Sequence, residues 1–570
     1  RMNGLVINER VLDRERRVVS EEQRLRFEND PQARVAVRAL RQVLGDHPYN
    51  RIGTAASIAA ISMDDVRRFY ARYYRPRNAH LIIVGPVDGP GTLAQVRRAF
   101  AAIPAGDESL PADAPPLRGW RFPSELTVSQ DALPGKGAVL LYPLPPSDHP
   151  DSEALQLIQA LLGGERSPLA DELVRRRRVA VLAGVESLFV RRGGGLALYA
   201  GYLPYRSKSA ALRYLEDARD RLGDLDWLTE ESLRSAKRRV LKDLLQQRQR
   251  AEGTARLLGQ ALHHQGDVAA AFDRAARIEA VTLAEARAAF ARHVLTQEPV
   301  RVYATPERVP AGLRLFGWLY PLIAPAAPRV VAVPPASAPA LAPPPPAAEA
   351  PSEHRFAVDP QTTAILLREP GSPLVDLRIE LPVGRWSPLF RSAQMGDAFT
   401  IQFHDAAGVL RRRADALALS LSLAVADDHS QLQLSCLRAD LPAALVLVGD
   451  LLRGRDFDRA ELLRRRLTSG AFFEASQKKP LFRLYQEAAR RLQLPADPRR
   501  RRFEAPDPIE TNPRRLATAR DRLLRLPGRV IGVAGDLTQE QLAPLLAGLL
   551  PPAEATAPAD LRPPDRKSVV

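Results

Sequence analysis

HPYNRIGTAASIAAISMDDVRRFYARYYRPRNAHLIIVGPVD, residues His47 to Asp88, is the stretch that decides the fold. Asp64-Asp65 open a helix that runs through Tyr73, as acidic residues favour a helix start. Leu81–Val84 is a compact β-rich run ending at Gly85. Leu93–Phe100 closes the unit before Ile103-Pro104. Upstream, VLDRERRVVSEE (Val11–Glu22) reads as a helix. There Glu15 and Glu22 stand about 20° apart around the axis. Val11, Val18 and Leu25 repeat at the same interval and form an apolar stripe beside them, expected to face a core. Carboxylates at the edge of a core need a cation or a set of donors. A metal would serve, and so would Arg14, Arg16 and Arg17.

The block from His47 to Asp88 resembles the signature of the M16 metallopeptidases, the family of pitrilysin, insulysin and the mitochondrial processing peptidases. The matching pieces are His47-Pro48-Tyr49, Ile52-Gly53, Phe69-Tyr70, Tyr73-Tyr74, Pro76, Asn78-Ala79 and Leu81–Val84 with Gly85. Glu15-Arg16, Val18 and Glu22 fit the helix that precedes this block in the family. The resemblance implies an α+β fold of tandem M16 sandwich domains, with two halves joined by a linker. It implies Glu22 as a Zn²⁺ ligand and Glu15 as a carboxylate supporting the metal site from behind. In such enzymes an H-x-x-E-H motif supplies two histidine ligands and the general-base glutamate. None of the nine histidines here lies in that motif, which should precede Glu22 by about 75 residues. The chain therefore reads as an N-terminally truncated piece, expected as it stands neither to hold stoichiometric zinc nor to cleave peptides.

The rest of the chain divides by composition. Residues 1–106 read as the C-terminal part of a first M16 domain and 107–308 as a second. In the second, Gly135–Pro146 and Gly193–Leu203 read as strands, and Glu153–Leu162 reads as a helix stopped by Gly163-Gly164. Thr229 to about His264 reads as one long helix, with Arg175–Arg178 as a solvated helix end. His263-His264 point about 100° apart on a helix and suit a helix end better than a chelate. Ser167–Leu188 resembles the family segment that carries an Arg and a Tyr for substrate backbone, but Val181 stands where the Tyr would be, so no substrate role is assigned there.

Residues 309–353 are Pro/Ala-rich and read as an extended linker. From about 354 to 556 the pattern restarts as a third, degenerate domain. Its Met395–Leu410 aligns with the zinc motif but places Phe399, Gln402 and Phe403 at the His, Glu and His positions, with His404 out of register. Phe cannot ligate zinc and Gln cannot act as a general base. The offsets that reach Glu22 and Glu15 from Pro31 reach Ala471 and Arg464 from Pro480. VIGVAGDLT (Val530–Thr538) repeats the LIIVGPVD run. Residues 557–570 read as a tail, whose DRKSVV resembles translated adapter sequence.

The 570 residues carry a net charge of +16, mostly arginine spread over helices, without any nucleic-acid-binding motif. The single Cys436 excludes internal disulfides and Cys-based zinc sites and suits a buried strand position. No apolar run is long enough to span a membrane. The partner the resemblance implies is a peptide or unfolded polypeptide, held in a chamber between the two halves, with a second copy or an M16 partner subunit also in keeping with the family. A periplasmic or envelope location is expected by analogy, with the cytoplasm still open. Two alternatives stand beside the peptidase: a non-catalytic M16 homologue acting as partner or scaffold, and a basic module binding nucleic acid or an anionic surface.

Overall fold

The run Lys136–Leu144 (β2) alternates as a two-residue period requires. Ala138, Leu140, Tyr142 and Leu144 are fully buried, while Val139 and Leu141 face the other way. Around it, β1 (Glu125–Ser129), β3 (Leu182–Val190), β4 (Gly193–Tyr202) and β5 (Val300–Thr305) complete a sheet of order β1-β5-β2-β4-β3. Only β1 and β5 run parallel.

The structure is a computed structural model. It describes the chain except residues 1–3, 25–30, 48–53, 106–115, 118–121, 131–132, 134, 164–166, 203–205, 308–350, 385–386, 388–408, 427–428, 455–456, 458–461, 464–465, 467–472, 474–475, 478–479, 493–511 and 556–570. The aligned positions Phe399, Gln402, Phe403, His404, Arg464 and Ala471, and nearly all of the Pro/Ala-rich stretch, lie outside the described residues. The chain falls into two units. One comprises residues 1–164, 182–225 and 246–310, the other residues 165–181, 226–245 and 311–570.

In the first unit the N-terminal helices are α1 (Glu9–Gln23), α2 (Pro31–Leu44), α3 (Ala55–Ala60), α4 (Met63–Tyr73) and α5 (Gly89–Phe100). Ser62 and Asp65 form a reciprocal capping box at the start of α4. Asn78 Nδ2 donates to Tyr73 O at 3.0 Å and Arg75 Nε to Ala71 O at 2.7 Å, so the RPRN segment satisfies the carbonyls at the end of α4. α6 (Ser152–Leu162), α7 (Lys208–Leu222) and α11 (Leu283–Phe290) bury Leu155, Ile158, Leu215 and Phe290 in the core. Val43 of α2 packs instead with Val128, Val300 and Val302, on the face shared by Val139 and Leu141.

Two expectations fail in the part of the chain before residue 266. The long helix is broken: α8 (Glu230–Arg248) ends and α9 (Ala251–Gln265) begins after Arg250 takes an extended backbone. Gly253 allows the break, since a Cβ there would collide with the Gln247 carbonyl. α10 (Ala270–Ala280) follows. The second failure is Leu81–Val84, which is extended but joins no ladder among the described residues. Leu81 is 58% and Ile83 46% exposed. A strand is defined by its neighbours, and none is described between residues 4 and 124.

The second unit holds β6 (Ser352–Asp359), β7 (Thr362–Arg368), β8 (Leu374–Leu381), β9 (Ser420–Val425), β10 (Ser430–Leu437) and β11 (Arg529–Gly535). Their order is β6-β7-β11-β8-β10-β9. Without the edge strand β6, this is the order first-last-second-fourth-third of the other sheet. The directions match too, with β7 and β11 the one parallel pair. Cys436 is fully buried on β10, as its strand position predicts. α12 (Val409–Ala416), α13 (Leu441–Arg453), α14 (Pro480–Leu492), α15 (Pro513–Leu524) and α16 (Gln539–Leu546) are its main helices. α13, α15 and α16 supply Leu445, Val448, Leu523 and Leu542 to the core over the sheet.

The repeat between LIIVGPVD and VIGVAGDLT is visible in the backbone. Gly85 and Gly535 have φ +156° and +155°, a conformation open to glycine. In each the amide two residues on bonds back to the glycine carbonyl, at 2.9 and 3.0 Å. The same turn is built twice, once behind a paired strand and once behind an unpaired one.

Candidate functional site

The helix expected to carry the metal ligands forms, but not as a buried element. Asn8 caps α1 by accepting from Val11 N at 3.0 Å. Its half-buried positions include Leu12, Arg16, Ser20 and Gln23, spaced along one helical face. That face meets α3, where Arg16 donates to the Ile61 carbonyl. Glu15 and Glu22 lie about 60–80° away from Leu12 around the axis. Both are exposed, as are Val18 at 53% and Val19 at 44%. The expectation that the Val18 stripe faces a core is therefore corrected, and Leu25 lies outside the described residues.

Glu15 accepts from Arg14 Nε and Nη2 at 3.1 and 2.9 Å, and its side chain is 52% exposed. The arginine alternative thus operates at Glu15. Among the described residues neither Glu15 nor Glu22 belongs to a group of three side chains able to hold a metal ion. Among the described residues, no others join Glu22 to make a zinc site.

Of the other positions in the matched block, His47 is buried at the end of α2. Phe69 and Tyr73 lie with ring centroids 4.6 Å apart, and Tyr70 and Tyr74 stack at 5.2 Å. These rings pack along α4 and at its C-terminal cap. Arg175–Arg178 is also corrected. Arg175 pairs with Asp171 at 2.6 Å, Arg177 with Glu172 at 2.7 Å and Arg176 with the other Glu172 oxygen at 3.2 Å, although the Arg176 side chain is still 70% exposed. Local carboxylates one turn back outcompete solvent for these guanidinia.

The one group of three among the described residues with metal-binding donors is His149, Asp151 and His293, a set the sequence reading did not single out. His149 and Asp151 sit on the turn before α6, closed by Ser152 N to His149 O at 2.9 Å. His293 follows α11 in the wide turn Ala291–Leu295, of the π type often found at functional sites. His293 Nε2 lies 2.8 Å from Asp151 Oδ2, and Arg292 Nη1 lies 2.5 Å from the same oxygen. The Asp151 amide donates to His149 Nδ1 at 3.1 Å. Burial alone would raise the Asp151 pKa, but the bonds from His293 and Arg292 hold it below the ordinary carboxylate value. The only sequence cue is His-x-Asp, which has little meaning until His293 is brought beside it.

Nearby in sequence, Asp148 lines a cavity of about 450 Å³ together with His80, Arg191, Arg192, His263 and His264. His264 Nδ1 lies 2.7 Å from Ser147 Oγ. Burial, with the charges of His263 and Arg191, pushes the His264 pKa below its usual value. The adjacent histidines do stand at a helix end, where Gly266 takes the left-handed conformation.

Comparison with known proteins points in one direction. A family profile described as Peptidase M16 inactive domain matches residues 60–185. The zinc protease PqqE of Helicobacter pylori is 30% identical over 187 residues, 31% of this chain and 41% of that protein. An uncharacterized zinc protease of Mycobacterium leprae is 29% identical over 196 residues, 34% of this chain and 44% of that one. The chain thus spans less than half the length of these curated relatives. Among solved structures, a protease from Helicobacter pylori is 24% identical with a TM-score of 0.48, covering 54% of this chain and 74% of that one. The profile matched at residues 60–185, the zinc-protease relatives and the α+β architecture all support an M16 peptidase family member.

Proposed function

We propose that this chain is part of a zinc-dependent metalloendopeptidase that degrades or processes peptides. The observation that carries the reading is the Glu15/Glu22 helix retained ahead of the His47–Asp88 block, in a chain 30% identical over 187 residues to a zinc protease. In that role Glu22 would be a metal ligand and Glu15 its support, with the histidine ligands contributed from outside these 570 residues. A peptide or unfolded segment as substrate, a chamber between two halves, and a periplasmic or envelope location belong to the same proposal. So does the division into a first-domain portion, a second domain, a linker and a degenerate third domain.

A second reading, a non-catalytic partner or scaffold subunit, is favoured by the matched profile being that of an inactive domain and by the replaced motif at Phe399–Phe403. Glu15 and Glu22 favour the enzyme, because the corresponding positions of the later copy hold Arg464 and Ala471.

The test is to express the coding sequence extended upstream of Arg1 and assay quenched-fluorescence peptides beside the 570-residue chain. The enzyme reading expects an H-x-x-E-H in the extension, cleavage by the extended protein, and loss of cleavage in its Glu22→Gln variant. A degenerate motif, with no cleavage at any zinc concentration, would establish the scaffold reading instead.

A further inference from the structure

We infer that His149, Asp151 and His293 form a binding site for a divalent cation of the zinc type, independent of Glu15 and Glu22. The donor set is two imidazoles and one carboxylate, which borderline cations such as Zn²⁺ accept readily. Three protein donors leave one position for water.

The distances fit. With metal–ligand bonds near 2.0–2.1 Å, tetrahedral geometry separates neighbouring donor atoms by about 3.3 Å. Asp151 Oδ2 stands 2.8 Å from His293 Nε2 and 3.8 Å from His149 Nδ1, on either side of that value. All three donors lie within 4.8 Å of one another. Shifts of about half an ångström bring both Asp151 separations to that value, and the two histidine donors, within 4.8 Å of each other, need close by no more than about 1.5 Å.

The burial is graded as a site with an entrance requires. The His293 side chain is 4% exposed, Asp151 17% and His149 27%. The buried histidine is fixed from behind by the wide turn, and His149 closes the open side. Its ring meets that of His293 edge-on, with centroids 5.7 Å apart.

Arg292 is the metal-free occupant. Its guanidinium sits on the same Asp151 oxygen that a metal would take, and its side chain is 51% exposed. It can swing into solvent without unfolding anything. Binding has two further requirements: the proton on His293 Nε2 must leave that nitrogen, and the Asp151 amide must exchange His149 Nδ1 for water at the exposed side. The site would clip the start of α6 to the end of α11, the two helices already packed on each other.

The experiment uses the full 570-residue chain, stripped by chelator and titrated with Co²⁺ as a spectroscopic probe, then with Zn²⁺ in competition. One Co²⁺ per chain should bind and show the intense visible band of four-coordinate cobalt, bleached by Zn²⁺. His149→Ala, at the exposed edge of the site, should fold normally by circular dichroism and weaken binding about tenfold or more. Asp151→Asn should do the same. Arg292→Ala should tighten binding by removing the competing cation, and Glu22→Ala should leave it unchanged. Absence of the band in the parent chain, unchanged affinity in a folded His149→Ala variant, or loss confined to Glu22→Ala would each overturn the assignment.

Discussion

Replacing Arg529 by methionine tests how the second sheet is held. The Arg529 side chain is fully buried at the start of β11. It donates to Thr362 Oγ1 at 2.8 Å, to Leu524 O and Pro551 O at 2.7 Å each, and to Asp359 Oδ2 at 2.8 Å. Methionine keeps an unbranched chain in the same space and removes every donor. Thr362 is 2% and Leu524 3% exposed, so neither acceptor recovers its bond from solvent. Each such orphan costs about 1–3 kcal/mol. The Asp359 side chain is 33% exposed, and its pairing contributes about 0–1 kcal/mol after screening. The methionine also escapes the cost of burying a guanidinium, which offsets part of the loss. The expected net destabilisation is about 3–5 kcal/mol, the range for breaking a buried charged network. A chain of two units need not unfold in one step. The assay is therefore native-state hydrogen exchange of the β7 and β11 amides, with Asp359→Asn as the comparison. Arg529→Met should accelerate exchange in both strands, and Asp359→Asn should change it little. An effect below about 1 kcal/mol, or equal effects in the two variants, would refute the view that the carbonyl and hydroxyl partners carry the interaction.

Glu22→Ala should leave the thermal stability of the 570-residue chain within about 0.5 kcal/mol, because Glu22 is an exposed side chain in the last turn of α1; a larger loss in calorimetry would mean that Glu22 is structurally engaged. Lys242 and Cys436, both buried in the second unit, should drive its alkaline stability in opposite directions. Burial lowers the Lys242 pKa from 10.5, although its ammonium donates to Ala418 O and Ser420 Oγ, so stability rises with pH through the window below 10.5 as the folded lysine loses its proton first. Burial pushes the Cys436 thiol up to about 12 from 9.0, so stability falls between those values as the unfolded thiol ionises first. Hydrogen exchange of β10 against pH should lose its rising component in Lys242→Met and its falling component in Cys436→Ala, and identical profiles in all three proteins would exclude both.

Much of the architecture was legible in local pattern. Short apolar periodicity marked β2, β4 also read as a strand, and Asp64-Asp65 marked the start of α4, because each signal acts within a few residues. The repeat of LIIVGPVD in VIGVAGDLT was visible in the sequence, and the structure adds that both copies share the glycine turn, since the positive φ at Gly85 and Gly535 is a property of the local chain. Sequence also placed Glu15 and Glu22 on one side of α1, as helical geometry alone requires.

What tertiary structure decided is whether such signals are satisfied. Leu81–Val84 has a strand's composition, but strand formation depends on hydrogen bonds to another segment, and none is described for it. The stripe at Val18 has the periodicity of a buried face, yet burial depends on what packs there, and α3 meets a different face. The long helix after Thr229 broke where Gly253 lets the backbone approach the Gln247 carbonyl, a contact that composition does not reveal. His149 and His293 are 144 positions apart in the chain. Only the packing of α6 against α11 brings their rings to 5.7 Å, because convergence of distant donors is a property of the folded core and not of any local run.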